Sequence, residues 1–460
     1  MLKASKRYMK ILLRLALLLL GGVITGFLLL VAVYAIPIAP IAQNVRLSVQ
    51  SLDGSWQTGE IPYEQLVKGY ITTQLDNTTD ATMLMAAANE SDLPLIQRAI
   101  SVSTYTYQGM YSALIEYGKN GTTNLYSSPS ARYWLGFLIF LKPLLCFLSY
   151  MDIRMLQMVV QLILLCAVIV GFCRRGAMRF VPAFVLSLLA ITPAITGFSM
   201  QFSTIYTLFL LAMIALLYCP RILEGRYRMV VFFMLTGMAT SYFDYLTYPI
   251  ATFGMPFILM LLLQPTYTRK EALTRLSLYL SAWFSGYLGM WAGKWVITML
   301  LSSDTWFLPN LLAKITERSS YEAAGTSISL ISVFSSVLSV FAKKTYLLVG
   351  MITFSIYIVL LLRIMVHRKS NTPRAIRPIG SFSSENLFGQ VLAITLTALL
   401  PFLWYVFASN HTYDHPFFTS RALVVSAFAA FSLMQILLDR VSNTKANVQL
   451  REPPSHFIDC

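Results

Sequence analysis

Apolar residues run along this chain in blocks of about 20, and the polar segments between most of them are short and basic. A spanning helix needs about 20 mostly apolar residues. On that measure ten blocks read as transmembrane helices: 11–36, 155–173, 178–196, 203–219, 229–246, 248–264, 276–300, 345–366, 388–408 and 420–438. Loops facing the cytosol collect Lys and Arg. The segments "KASKRYMK", "CRRGAMR", "RILEGRYR", "TRKEALTR" and "RIMVHRKSNTPRAIR" then fall on one side together with the tail 439–460. Both termini are expected to be cytosolic.

Two apolar stretches are set aside. Residues 131–154 carry Lys142-Pro143 at their middle and charges at both ends. Counting them as a span would move the basic loops outside, so they read as an amphipathic helix in the outer interface. Asp152 and Arg154 would mark the turn into the next span. Residues 327–344 are read the same way. The outer face then receives a long loop, 37–154, a second at 302–344 and a short one at 409–420. The first contains "DATMLMAAANE", "LPLIQRAI" and "TYQGMYSALIEYG", all with helical apolar spacing. The expected fold is all-α: a polytopic bundle of about ten helices with a helical outer loop. Its parts are 1–36, 37–154, 155–301, 302–344, 345–438 and 439–460.

Composition fits this reading. Hydrophobic residues make up 57% and charged residues 12% of 460, with a mean hydropathy of +0.64. A soluble domain carries roughly 25% charged residues. The net charge of +15 is explained by the cytosolic loops, so no nucleic-acid partner is needed. None of the 5 Cys lies between Pro37 and Arg132, which argues against a disulfide-stapled ectodomain. The first apolar block exceeds a signal-peptide core of about 7–15 residues, so it is expected to remain as a helix.

Candidate chemistry gathers on the outer side. Asp76 and Asp80 stand four apart at the start of the first outer-loop helix. They can act as a general base or a ligand for a divalent cation. The plainer reading is that Asp76 or Thr78 caps the helix and Asp80 favours its positive end. Asp244, in "SYFDYLTYP" beside Tyr242, is a carboxylate at membrane depth or part of a solvated turn. Lys294 near the outer end of its helix is a cation for a phosphate, or it snorkels. Gly286, Gly289 and Gly293 read as helix-packing residues. His411, Asp414, His415 and Arg421 cluster in the last outer loop. Their spacing is not that of a zinc motif, but Arg421 suits a phosphate or diphosphate.

The layout resembles the GT-C class of integral-membrane glycosyltransferases, which includes protein mannosyltransferases and the lipid A aminoarabinose transferase. The matching features are the basic-flanked first helix, the acidic "LDNTTDA" after it, and the order in "SARYWLGFLIFLKPLLCFLSYMDIRMLQMVVQLILLCAVIVGFCRRG". There an interfacial segment with Leu141-Lys142 is followed by Arg154 and a span closing on Arg174-Arg175. The resemblance covers about the first 220 residues. It implies a sugar donor on polyprenyl phosphate, a lipid-linked or cell-envelope glycan acceptor, and contact with membrane lipids. Asp76 or Asp80 would be the catalytic acid, with Mg or Mn there if a cation is used. Lys294, Arg421 and Arg154 would hold the donor phosphate. The expected location is a bacterial plasma membrane. The alternatives are a polysaccharide polymerase or ligase, which would lean on Arg and His, and a lipid or polymer transporter, which would line a path with charges.

Overall fold

The computed structural model describes residues 2–51, 63–264, 268–302, 306–323, 325–369 and 384–449. Much of the basic stretch after Arg363 and the end of the tail lie outside the described residues. The fold is all-α. Among the described residues strand is confined to two short antiparallel pairs, β1 (Thr104–Thr106) with β2 (Tyr126–Ser128) and β3 (Glu322–Ala323) with β4 (Thr326–Ser327).

Among the described residues five helical segments are long and apolar enough to cross a membrane: Tyr8–Tyr34, Tyr150–Arg174, Met200–Tyr218, Leu387–Phe407 and Pro416–Asp439. A sixth is obtained if Leu330–Ser339 and Lys344–Ile356, bent by 101° at a short break, are one span. Met178–Ala190 and Ala251–Leu263 are apolar but shorter.

The N-terminal half holds α1 (Leu2–Tyr34), α2 (Ile38–Ser51), α3 (Asn77–Ala87), α4 (Leu95–Ser101), α5 (Met110–Asn120), α6 (Leu138–Leu145) and α7 (Tyr150–Arg174). Helices α2 to α5 and the β1–β2 pair build a folded layer between α1 and α6. Its central helix, α3, is enclosed on every side from Asp80 on: Asp80 to Ala87 are all buried. Sequence read 131–154 as one interfacial helix. In the structure α6 ends at Leu145, and α7 starts at Tyr150. The start of α7 is set by a capping box, in which Ser149 and Asp152 each bond the other's backbone N–H. Asp152 and Arg154 therefore sit in the first turns of α7. Helix α2 braces this corner. Asn44 donates to the Leu145 carbonyl at 2.9 Å, and Ser48 Oγ accepts from the Tyr150 N–H at 2.8 Å.

The next stretch is broken. Between Met178 and Phe198 run 3₁₀ turns, α8 (Val181–Ser187) and α9 (Pro193–Phe198), with Thr192 in the left-handed region at φ 51°. Then follow α10 (Met200–Tyr218), α11 (Arg226–Phe243), α12 (Ala251–Leu263) and α13 (Arg269–Leu301). Helices α11 and α13 pack at close range because two glycines remove the side chains between them. A Cβ on Gly237 would lie 2.0 Å from the Trp283 carbonyl oxygen, and one on Gly286 2.1 Å from that of Met234. Gly289 and Gly293 receive Leu19 and Val23 of α1, so the packing role expected of these glycines holds.

The remaining elements are α14 (Phe307–Ser319), α15 (Leu330–Ser339), α16 (Lys344–Lys369), α17 (Ser384–Ala398), α18 (Leu400–Phe407), α19 (Ser409–Asp414), α20 (Pro416–Thr419) and α21 (Val424–Gln449). Helix α12 lies at the centre, buried from Ala251 to Leu262 and packed on α10, α11, α17 and α21. In contrast, α1 and α7 turn Leu12, Leu13, Leu17, Leu162 and Ile163 outward, each more than half exposed. Such apolar faces fit hydrocarbon, not water.

Candidate functional site

Asp76 and Asp80 do not share a helix face. Asp76 is the N-cap of α3, with non-helical φ −112° and ψ 73°. Its carboxylate accepts from Thr79 N–H at 2.9 Å and Thr79 Oγ1 at 2.8 Å. The capping role is thus real, yet the carboxylate is only 3% exposed. Burial raises its pKa to about 6, against the lowering effect of the Thr79 bonds.

Asp80, one turn on, is fully buried. It accepts a very short hydrogen bond from Tyr150 Oη and lies 3.6 Å from Arg154 Nη2. The N–H groups of Met200 and Gln201 at the N-terminus of α10 point at it, both at 3.3 Å, with Ser199 Oγ at 3.4 Å. Burial pushes its pKa up, opposed chiefly by the Arg154 charge and the Tyr150 bond. Arg154 also donates to Asn77 Oδ1 at 3.2 Å and lies over the Tyr150 ring at 4.4 Å. Asp80 therefore joins α3, α7 and α10, and Arg154 is its partner. Sequence reasoning missed Tyr150; its four-residue spacing from Arg154 on one helix was the available signal.

Arg421, in the 3₁₀ turn leading into α21, is 1% exposed. It donates to the carbonyls of Ile191 and, at 3.2 Å, Thr72, and its guanidinium lies 4.1 Å from the Phe202 ring centroid. Its Nε has no partner, and among the described residues it forms no salt bridge with a carboxylate. Thr72 stands four residues before Asp76, so Arg421 bonds the segment that leads into α3. Leu75 fills the same region, packing with Ile195, Phe202, Phe417 and Phe418.

Asp244 is 5% exposed, so it is not in a solvated turn. It closes α11 and accepts from Thr247 N–H at 3.1 Å and Thr247 Oγ1 at 2.6 Å. His411, on α19, uses both ring nitrogens: Arg318 Nη1 stands 2.5 Å from Nδ1, and Nε2 bonds the Leu246 carbonyl at 2.8 Å. Burial, with the Arg318 charge, lowers its pKa to about 3, so the ring is neutral. In that state Nε2–H donates and Nδ1 accepts from Arg318. His415 stacks on Phe418 at 5.1 Å. Burial lowers its pKa too.

Two candidates lie apart from this group. Lys294 does not snorkel; it is 1% exposed and donates to the Ile100 carbonyl at 2.7 Å, at the C-terminal end of α4. Trp134 covers it at 5.6 Å. Tyr242 donates to the Gly26 carbonyl at 2.8 Å and ties α11 to α1.

An apolar cavity of about 280 Å³ opens between α6, α7 and α10. Met83, Leu141, Ile153, Leu156 and Met200 line it, and Phe140 and Val160 stand at its exposed margin. Met200 is the residue whose N–H bonds Asp80, and Ile153 precedes Arg154, so the cavity ends against the Asp80 cluster. Gln157 Nε2, in its wall, is buried without a partner.

Among the described residues no three His, Cys, Asp or Glu side chains gather to hold a metal ion. A divalent cation on Asp80 would have to displace Arg154, and Asp76 alone supplies one carboxylate. Mg or Mn asks for several oxygen ligands, so this donor set does not fit one. No family model matches the chain, and no curated protein or solved structure matches it at a significant level.

Proposed function

We propose that the protein is a glycosyltransferase of the outer membrane face. It moves a sugar from a polyprenyl-phosphate donor to a lipid-linked or cell-envelope glycan acceptor. One observation carries this reading: Arg421, a buried guanidinium with no carboxylate partner among the described residues, bonds the Thr72 carbonyl four residues before the buried carboxylate of Asp76. Base and cation are the two groups that displacement of a sugar phosphate requires. The lipid-open cavity between α6, α7 and α10 supports it, because it offers apolar walls for a polyprenyl chain.

In this reading Asp76 takes the proton of the acceptor hydroxyl as its oxygen bonds the anomeric carbon. The bond from that carbon to the phosphate oxygen breaks, and Arg421 offsets the charge left on the polyprenyl phosphate. Asp80 and Arg154 position the start of α3. Lys294 holds the end of α4 and is not assigned to the phosphate.

The chain crosses a bacterial plasma membrane ten times in this proposal, with both termini cytosolic. The shorter helices α8–α9 and α12, together with α11, α13 and α16, supply the crossings beyond the apolar five. A polymerase or ligase would depend on His411 and Arg318. The occupied ring nitrogens of His411 favour a bracing role instead.

The test is sugar transfer in reconstituted membranes from a panel of radiolabelled polyprenyl-phosphate sugars. Transfer by the wild type that is lost in Asp76→Asn supports the reading. Undiminished transfer by Asp76→Asn removes Asp76 from the chemistry, and no transfer from any donor by the wild type rejects the proposal.

A further inference from the structure

Three polar groups that play no part in the transfer reading meet where α1, α4 and α6 come together. Lys142, on α6, is 2% exposed and makes one hydrogen bond, to the Ala87 carbonyl at 2.8 Å. An ammonium has three donors, so two remain. Its Nζ lies 4.9 Å from the ring centroid of Tyr34, the last residue of α1. Tyr34 is 5% exposed, and its hydroxyl has no partner. Arg98, on α4, is close enough to act on both the Lys142 ammonium and the Tyr34 phenol. Its Nε is also buried and without a partner.

What is missing is a negative charge. Among the described residues the charged or ionisable groups acting on Lys142 are Arg98 and the Cys146 thiol, with no carboxylate. Burial first, then the Arg98 charge, lowers its pKa to about 8. A buried ammonium beside the charge of a half-buried guanidinium is unfavourable unless an anion joins them. Ammonium, guanidinium N–H and phenol O–H are all donors, and an oxyanion offers only acceptors. A phosphate group matches such a set of donors. The height fits as well. Tyr34 closes the apolar segment Tyr8–Tyr34, at the level where a spanning helix meets lipid headgroups.

We infer that Lys142, Arg98 and Tyr34 form a binding site for a phosphate-class oxyanion at the outer membrane interface. The site is separate from Asp76. The two stand at opposite ends of α3, about 16 Å apart at 1.5 Å per residue. It does not rest on the transfer reading, and the two can fail independently. The anion is either free phosphate or the phosphomonoester headgroup of a lipid.

Thermal unfolding of the full-length protein in dodecyl maltoside tests it, with phosphate exchanged for chloride at constant ionic strength. The midpoint of the wild type is expected to rise saturably with inorganic phosphate, or with phosphatidic acid in the micelles. Response to the first assigns the free anion, and response to phosphatidic acid alone assigns the lipid. Tyr34→Phe removes one donor and no charge. It should leave the phosphate-free midpoint in place and weaken the apparent affinity roughly tenfold, the value of one hydrogen bond to a charged group. Arg98→Met should unfold no lower than the wild type without phosphate and lose the response. A wild type that responds to neither ligand overturns the inference. So does a response that persists unchanged in both variants.

Discussion

Asp76 and Asp80 differ in what surrounds them, and their substitutions should differ in kind. Asp80→Asn removes the negative partner of a buried Arg154 and weakens the cap on α10. Loss of one member of a buried pair costs about 3–5 kcal/mol, so thermal unfolding should show a large loss of stability. Asp76→Asn keeps a side-chain acceptor for Thr79 and should fold; transfer should fall roughly 10²–10⁴-fold, the usual worth of a general base. Because the base must be ionised, kcat/KM should rise with pH through about 6 and level above it. A profile flat between pH 5 and 7 would count against Asp76 as the base. His411 sets a separate acid limit. Its pKa is lowered to about 3 from 6.5, so the stability it contributes is whole above about 6.5 and is lost as pH falls toward 3. Unfolding midpoints measured across that range should fall less steeply on acidification in His411→Gln than in the wild type. At this scale the sequence marked Asp76, Asp80, Arg154 and Arg421, because charges in an apolar chain stand out. It did not reveal that Arg154 serves Asp80 or that Lys294 serves a carbonyl. Those pairings cross 74 and 194 residues and are set by tertiary packing.

At the scale of elements, apolar block length was a good guide to α1, α7 and α10 and a poor one where helices break. The block 178–196 reads as one span, yet it holds α8, α9 and the left-handed Thr192. Pro182 and Pro193 mark the beginnings of those pieces, as Pro commonly does at a first helical turn. The block 131–154 hid a capping box, although Ser149 and Asp152 stand at the right spacing for one. The α11–α13 contact gives a sharper forecast. Gly237→Ala places a methyl 2.0 Å from the Trp283 carbonyl, and Gly286→Ala one 2.1 Å from that of Met234. Backbone on the far side cannot turn away as a side chain can, so the helices must separate. Each substitution should destabilise the detergent-solubilised protein by about 1–3 kcal/mol. Gly21→Ala, where a methyl meets nothing within 4 Å, should leave the midpoint unchanged.

At the scale of the molecule, the charge bias yields a test of sidedness. Cys173 and Cys219 are exposed near the ends of α7 and α10, beside the basic turns. Asn120 is exposed at the end of α5, in the layer between α1 and α6. In single-cysteine proteins an impermeant maleimide should label Asn120→Cys on intact cells and reach Cys173 or Cys219 only after lysis. The reverse pattern would invert the orientation. The central position of α12 also bears on how such a protein is made. Its 13 residues span about 20 Å at 1.5 Å per residue, short of the roughly 30 Å hydrocarbon layer. Two of the neighbours that enclose it, α17 and α21, leave the ribosome long after it does. One hydrogen bond from Gln390 to the Leu261 carbonyl is therefore made only near the end of synthesis. Until then α12 must wait with one flank uncovered, and a chain halted before α17 has nothing to close over it. Quality control in the membrane would meet such a fragment as an unfinished protein, so the C-terminal helices decide whether the earlier ones survive.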